Sequence, residues 1–537
     1  TMKHLIGLTF ASAIVLNVNA QSAADGFKMI HYKKYESAVS AMSSLADKNP
    51  EAALALGLAH LEMDQLTEAK AAFAKISDKD WRYKIGQAYL YAYEGNKTQV
   101  ETVLNSVVDG ARKKEWEKYK LAADVVAYTG KGNYETAVSW YEKALEINKD
   151  AATHLNLGYL YMNRLNKGGA AYNSFNSAAQ STDKSIQSLA YNYLGSLGLR
   201  SRDAELAITN FDKAKAADPS NPMPFLQLAK QYDKAGNKAS LALENAEKFY
   251  QASDKRYIDK IDYVNVLIGA KEYSKAEGIL AELLNTNADQ ASLYRAMAYS
   301  QYENKKYQEA LTSINTYFNK TKDKTRLSVD DLTYAGKIYA SLASTDEANS
   351  AEYLGKAHEY FGKAIAADTA AHKRETYLSI GRIFQDINNF EGAAKYYTMI
   401  IAETPGVSPT STFDYYNAGV FTYYANKLPE ALAIFTKMAE LHPDEPVAVY
   451  WQARSAMAID KDAKTGAAEP YFVKWLSFNK EGYTPADKDK ITGYAYLAEY
   501  YYNSKNYKKA VEAADAILAI DNTNNFAQEI KKFSVGK

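Results

Sequence analysis

The sequence predicts an all-α chain built as a linear stack of helical hairpins, and three observations predict it. First, one spacing recurs three times without error. Gly195, Ala207, Phe211, Ala214 and Pro219 are separated by 12, 4, 3 and 5 residues, and the same steps relate Gly381, Ala393, Tyr397, Ile400 and Pro405, and again Gly419, Ala431, Phe435, Met438 and Pro443. Second, the steps of 4 and 3 within each set place small and apolar side chains on one helix face. Third, the chain holds only 11 Pro and 27 Gly and no long low-complexity tract, which suits a chain ordered nearly throughout.

Each step has a physical reading. A Gly and an Ala 12 residues apart fit two helices joined by a short turn. The Gly sits on the first helix where a bulkier residue would hold the second away. The Ala is expected at the facing position, and the aromatic four residues later one turn further along that face. The Pro stops the second helix and sets the bend into the next hairpin. A single hairpin has an apolar face it cannot bury alone, so neighbours must stack on it.

Partial sets run along the chain. Ala38, Met42, Leu45 and Pro50 supply the second half of an early unit; Gly57, Ala69, Phe73 and Ile76 the next; and Gly86 with Tyr89 begins another. Ala137, Tyr141 and Ala144 lie in GNYETAVSWYEKALEIN, followed by Gly158, Tyr161 and Ala170, then by Ala276 with Leu280, Ala310 with Ile314, and Ala510 with Ala514 and Ile517. The pattern resembles the tetratricopeptide repeat, a helix-turn-helix unit of about 34 residues. That resemblance implies a right-handed α-solenoid and a role in protein binding.

Departures from the pattern are visible as well. Gly336 precedes its Ala357 by 21 residues, which places about nine extra residues in that turn. Residues 223–250 keep the helical period without the Ala-aromatic pair, and residues 447–478 are irregular. About 13 or 14 units are expected, with a capping helix over residues 526–533. The expected layout is a signal peptide at 1–20, one array at 21–403, a bend at 404–412 marked by Pro405, Gly406 and Pro409, and a second array at 413–537.

The signal peptide is read from Lys3 and His4, an apolar run over residues 5–16, and Val18-Asn19-Ala20 as a small-residue cleavage site. The run is too short to span a membrane, and no later run of about 18 apolar residues occurs. With no Cys there is neither a disulfide framework nor a lipidated cysteine. The expectation is an exported bacterial protein of the periplasm, either free or associated with the outer membrane.

Lys plus Arg and Asp plus Glu both number 64, so a basic stripe for nucleic acid is unsupported at the level of the chain. The seven His show no metal-ligand spacing. Gly130-Lys131-Gly132 lacks the leading Gly and following Ser or Thr of a phosphate loop, and G-x-S-x-G is absent. No catalytic residue, metal or cofactor is expected, and the chain is read as a non-enzyme. Asp368-Thr369-Ala370 matches a short O-glycan acceptor pattern but falls where a helix is expected to end.

Tyrosine is the preferred aromatic, 45 against 18 Phe. Many fill core positions of the repeat, Tyr141 and Tyr397 among them. The resemblance also implies that the first helix of each unit lines a concave groove, with residues three before its Gly and one or four after it pointing inward. On this register the candidate partner-binding residues are Tyr416 and Tyr423 around Gly419 with Tyr424 at the edge, Tyr299 and Tyr302 around Ala298, Tyr159 beside Gly158, and Tyr502 four after Ala498. Arg382 is the one suitable groove position for gripping a carboxylate; Leu54, Leu58 and Leu378 occupy its counterparts, which argues against such a clamp. Two readings stand side by side: a Tyr-lined groove holding a partner segment, or rings packed on neighbouring helices. The functional expectation is a scaffold for other proteins, components of an envelope or outer-membrane complex, with self-association compatible. The alternative is a glycan-binding accessory protein of an outer-membrane uptake system.

Overall fold

In the computed structural model, residues 22–323, 326–369 and 372–537 are described; the proposed signal peptide lies outside them, as does Ala370. Among the described residues there are 29 α-helices, numbered α1–α29 in chain order, and no strand. Consecutive helices pair into 14 antiparallel hairpins with one helix, α29 (Asn525–Ser534), left over. Backbone contacts divide the chain into two units, Thr1–Thr286 and Asn287–Lys537. Residues 404–412 lie inside the second unit, where they join α22 (Phe390–Glu403) to α23 (Ser411–Tyr424).

The turn inside each hairpin is nearly a constant. Its last helical carbonyls are closed by one residue at positive φ: Lys33, Asp64, Gly95, Asn166, Arg202, Lys271, Lys305, Asn388, Asn426 and Lys505 all fill this place. In nine of these ten the next residue donates its N–H to the carbonyl five before it, as Gln65 does to His60 at 2.9 Å and Asn506 to Tyr501 at 2.8 Å; after Asn166, Lys167 reaches Tyr161, six before. An Asn or Asp often follows to cap the second helix, as Asn96, Asn133, Asp203, Asn389 and Asn506 do. Gly130-Lys131-Gly132 forms a variant turn between α7 (Trp116–Thr129) and α8 (Tyr134–Ile147), with both glycines at positive φ.

The signature residues are core, with one correction. The predicted alanines Ala69, Ala137, Ala207, Ala310, Ala393, Ala431 and Ala510 are fully buried. The Gly, however, faces the aromatic and not the Ala. A Cβ on Gly195 would stand 2.5 Å from the Phe211 ring, one on Gly381 2.9 Å from Tyr397, and one on Gly419 2.5 Å from Phe435. The Ala instead meets the residue three beyond the Gly: a Cβ on Gly198 would lie 2.8 Å from the Ala207 nitrogen. A ring is long enough to cross to the partner helix, and only a missing side chain leaves space for it.

Two register expectations are also corrected. After Gly158 the buried position is Ala171, not the half-buried Ala170, because that hairpin turn is one residue longer. The extra residues after Gly336 do not form a loop. They lengthen both helices, α19 (Val329–Thr345) and α20 (Ser350–Ala367), and add a short 3-10 turn at Glu347–Asn349. Gly336 still receives its ring, that of Phe361. The irregular stretch 447–478 contains α25 (Pro446–Ile459), a loop and the eight-residue α26 (Glu469–Leu476). The loop is held by Asp460, whose carboxylate accepts from the backbone N–H groups of Lys464, Thr465 and Gly466 and from the Tyr496 hydroxyl at 2.7 Å.

The first unit closes on itself. Its first hairpin, α1 (Ala23–His31) and α2 (Tyr35–Met42), stacks on α3 (Pro50–Leu61) in the ordinary way. Its polar residues also meet segments that follow the hairpins five and six onward. Lys28 and the Tyr32 hydroxyl reach Asp218, just after α12 (Ala204–Ala217), at 2.9 and 2.7 Å. The Ser37 N–H donates to Asp254 at 3.1 Å, and Arg256 lies over the Tyr35 ring. Tyr32 is fully buried in a cluster with Leu155, Leu189 and Leu194.

Candidate partner-binding surface

The first helices of successive hairpins stand side by side, so the inward positions of one meet those of the next. What this does to a tyrosine depends on its neighbours. Tyr159, on α9 (Ala151–Asn163), is half-buried between Tyr128 of α7 and Tyr193 of α11 (Lys184–Arg200), with ring centroids 4.6 and 5.8 Å away. His31 of α1 packs on Tyr128 at 5.5 Å and covers that end of the stack.

In the second unit, Tyr299 of α17 (Ala291–Glu303) stacks on Tyr334 of α19 at 3.9 Å, and its hydroxyl donates to Asp331. Tyr302 meets Tyr334 edge-on at 5.6 Å. Asp331 is buried and also accepts from Arg295 and from the Tyr317 hydroxyl, which makes the surroundings of Tyr299 a satisfied internal network. Tyr502, on α27 (Asp487–Asn503), packs edge-on against Tyr507 at 5.7 Å. Arg382 is exposed beside Gly381 and makes no hydrogen bond or ion pair.

The remaining three candidates converge. Tyr416, Tyr423 and Tyr424 all lie on α23 and all touch one ring on the next first helix, that of Trp451 on α25, at 6.4, 5.3 and 6.3 Å. Phe435, the ring that fills the space at Gly419, stacks on the same indole at 5.6 Å and 16°. Tyr450 lies edge-on to it at 5.9 Å and tilts against Trp475 of α26 at 4.8 Å. Tyr416, Tyr450, Trp451 and Trp475 form walls of an open cavity of 710 Å³, with Phe413, Met438 and Tyr483 also in its lining. Phe413 and Tyr424 are about half exposed, at 48% and 53%.

The polar groups around this cavity are few and ordered. The Tyr450 hydroxyl donates to Asp489 at 2.8 Å and accepts from Arg454 at 3.0 Å. Burial, together with the bond to Asp489, pushes the Tyr450 phenol up to about 12, so it stays a donor at neutral pH. The Trp475 indole N–H donates to the Tyr483 hydroxyl at 2.7 Å, and Lys480 pairs with Glu445 at 3.2 Å. Trp451, Trp475 and Phe413 are absent from the expected set. Trp451 and Trp475 fall in the irregular stretch, where the repeat register could not be carried forward, although a Tyr-Trp pair in a chain with five Trp was a usable signal.

Near the cavity, the Ser411 hydroxyl lies 2.8 Å from the His442 imidazole. Ser411 is buried, its hydroxyl takes the Ser408 N–H, and no carboxylate orients the imidazole. Among the described residues no group of three His, Cys, Asp or Glu side chains converges for a metal, and no helix is long and apolar enough to cross a membrane.

Known proteins offer one family match and several structural neighbours. A family model described as a TPR repeat matches residues 127–163. No curated protein matches. Among solved structures, the chain is 28% identical to the C-terminal part of a TPR repeat-containing protein from Cytophaga hutchinsonii, over 50% of this chain and 98% of that one, with a TM-score of 0.36. It is 17% identical to a tetratricopeptide repeat protein from Parabacteroides merdae, over 49% of this chain and 96% of that one, with a TM-score of 0.30. Against a chain of the Cut9–Hcn1 hetero-tetramer of the APC/C, it is 14% identical over 95% of each chain, with a TM-score of 0.29.

Proposed function

We propose, from the premise that this chain is a tetratricopeptide-repeat protein, that it is a protein-binding scaffold of the bacterial envelope and that it grips a partner segment at the Trp451 cavity. The observation that carries this reading is the convergence of Tyr416, Tyr423 and Tyr424 on Trp451, which together with Tyr416 walls an open, aromatic cavity. Large, stiff rings with a polar tip dominate protein contacts because they bring area with little entropy to lose. The half-exposed Phe413 lines the cavity, and the half-exposed Tyr424, outside that lining, packs on the same Trp451. A cavity of this volume suits one or two side chains of an extended segment. Placement in the envelope is supported by the processing segment at residues 1–20.

The test is site-directed crosslinking from position 424 in intact envelopes, with wild type compared with Trp451→Ala. One discrete crosslinked membrane or periplasmic protein, lost in Trp451→Ala while the melting curve shifts by only a few degrees, is the expected result. A crosslinking pattern indifferent to Trp451→Ala overturns the assignment of this cavity. Retention on a glycan array, abolished by the same substitution, favours the sugar-binding alternative.

A further inference from the structure

The charges around the cavity specify its occupant further. Resting on the contact surface just assigned, we propose that the Trp451 cavity receives a cationic side chain, the guanidinium or ammonium end of an arginine or lysine carried by an extended segment of the partner protein.

The aromatic walls come first. Tyr416, Tyr450, Trp451 and Trp475 surround the space, and the face of each ring carries partial negative charge that attracts a cation. The side chain of Arg454 already uses this property from outside the cavity: its guanidinium lies 5.8 Å from the Tyr450 ring and 5.9 Å from that of Trp451.

The formal charges point the same way. The ionisable carboxylates on the lining are Glu445 and Asp489, and no Lys or Arg lines it. Glu445 is matched by Lys480. Among the described residues Asp489 is in no ion pair: its carboxylate receives the Tyr450 hydroxyl on Oδ1 and no side-chain donor on Oδ2. Arg454 reaches it only through Tyr450, by donating to the hydroxyl that in turn donates to Asp489. A partly buried carboxylate beside four aromatic rings has no ion-pair partner, and an entering cation supplies one. Phosphate or a terminal carboxylate would meet Asp489 and Glu445 with like charge.

The apolar rim identifies the carrier as polypeptide. Pro409, Val447, Met438 and Pro485 line the space around the rings. They offer contact that a bare ammonium ion cannot use, whereas the methylene stem of Arg or Lys and the flanking backbone can.

The experiment titrates the full chain, labelled at its tryptophan indoles, with two peptides, acetyl-Ala-Pro-Arg-Ala-amide and its citrulline counterpart. Citrulline keeps the shape of arginine and removes the charge. The arginine peptide is expected to shift the Trp451 and Trp475 signals with at least tenfold tighter binding than the citrulline peptide, and the preference should weaken as salt rises. Asp489→Asn, a near-isosteric change, should abolish the preference, and Trp451→Phe should weaken both peptides together. Equal binding of the two peptides, or a preference untouched by Asp489→Asn, overturns the cation assignment and leaves the contact surface standing. If neither peptide moves either indole signal, the cation assignment fails; the contact surface is then judged by the position-424 crosslink alone.

Discussion

Replacing Gly419 by Ala should destabilise the second unit, while the same change at Gly355 should stabilise it. Both glycines are helical, in α23 and α20. In a helix interior, Ala is favoured over Gly by about 1 kcal/mol. At Gly355 a new Cβ meets nothing within 4 Å, so that gain is expected nearly whole. At Gly419 the Cβ would lie 2.5 Å from Phe435 Cζ, with two more ring carbons at 2.6 and 2.8 Å. Carbon contacts are comfortable at about 3.5–4.0 Å, so α24 (Leu428–Leu441) or the ring must retreat by about 1 Å. The ring has little freedom, being fully buried and stacked on Trp451. Overpacking of this kind costs about 1–3 kcal/mol, and three ring atoms in conflict place it at the upper end. The net expectation is a loss of about 1–2 kcal/mol at Gly419 and a gain of about 1 kcal/mol at Gly355. Amide exchange is the suitable assay, because helical arrays unfold in pieces and the exchange of α23 and α24 reports the local opening energy. Adding Phe435→Leu to Gly419→Ala should recover part of the loss. A Gly419→Ala protein as stable as Gly355→Ala would refute the claim that the ring is what keeps this position free of a side chain.

Other outcomes follow from the same contacts. Asp218→Asn removes the charge that holds Lys28 and Tyr32, and should speed amide exchange in α1 by the equivalent of about 2 kcal/mol while leaving α25 unchanged. Burial alone would raise the Asp218 carboxyl, but bonds from Ser220, Lys28 and Tyr32 outweigh it and hold it down to about 2. Its contribution is therefore complete above the unfolded value of 3.8 and should fade as pH falls from there toward 2, seen as an acid-side drop in melting temperature that Asp218→Asn lacks. The His31 imidazole is lowered from 6.5 to about 4, by burial first and then by Lys120. The unfolded chain takes up that proton first, so stability should decline as pH falls from 6.5 to about 4, and the His31 ring should titrate near the lower value by NMR. Asp460→Ala strips the loop before α26 of its backbone acceptor and should cost about 2–4 kcal/mol, with protease nicking within residues 461–468 as the readout.

Much of the hairpin architecture was legible because its determinants are local. A turn of four or five residues, a small residue and an aromatic at fixed separations recur wherever two helices must approach closely, and Gly195, Gly381 and Gly419 announced it. The identity of the facing pair was not legible. Spacing alone does not distinguish a ring that crosses to the partner helix from one that lies further along its own, and only the atoms around Gly195 and Gly198 separate the two. The insertion after Gly336 was counted correctly and placed wrongly, because residues 337–356 are compatible with helix and the extra length went into existing turns of α19 and α20. The contacts of Lys28 and Tyr32 with Asp218 join residues far apart in sequence, and no periodicity encodes them. Tyrosine at an inward position was informative about place but not about neighbours. Tyr159 and Tyr299 meet rings on adjacent helices and are covered by them, whereas Tyr416 meets Trp451 of α25, whose own partner helix, α26, is only eight residues long, and both line a cavity.

The contacts of the first hairpin with Asp218 and Asp254 change the mechanics of the first unit. An open row of hairpins behaves like a spring with two free ends, each of which frays on its own and either of which can uncoil without consulting the other. Here Lys28, Tyr32 and Ser37 fasten the start of the row to a point far along it, so the row becomes a hoop. Stretching a hoop loads its fastening, and damage to a hairpin midway, at Tyr159 or Phe175, is felt at both sides of that fastening. The nearest-neighbour arithmetic that describes linear arrays then acquires one extra term, and the first hairpin, ordinarily the most expendable, becomes the one on which the curvature of the rest depends.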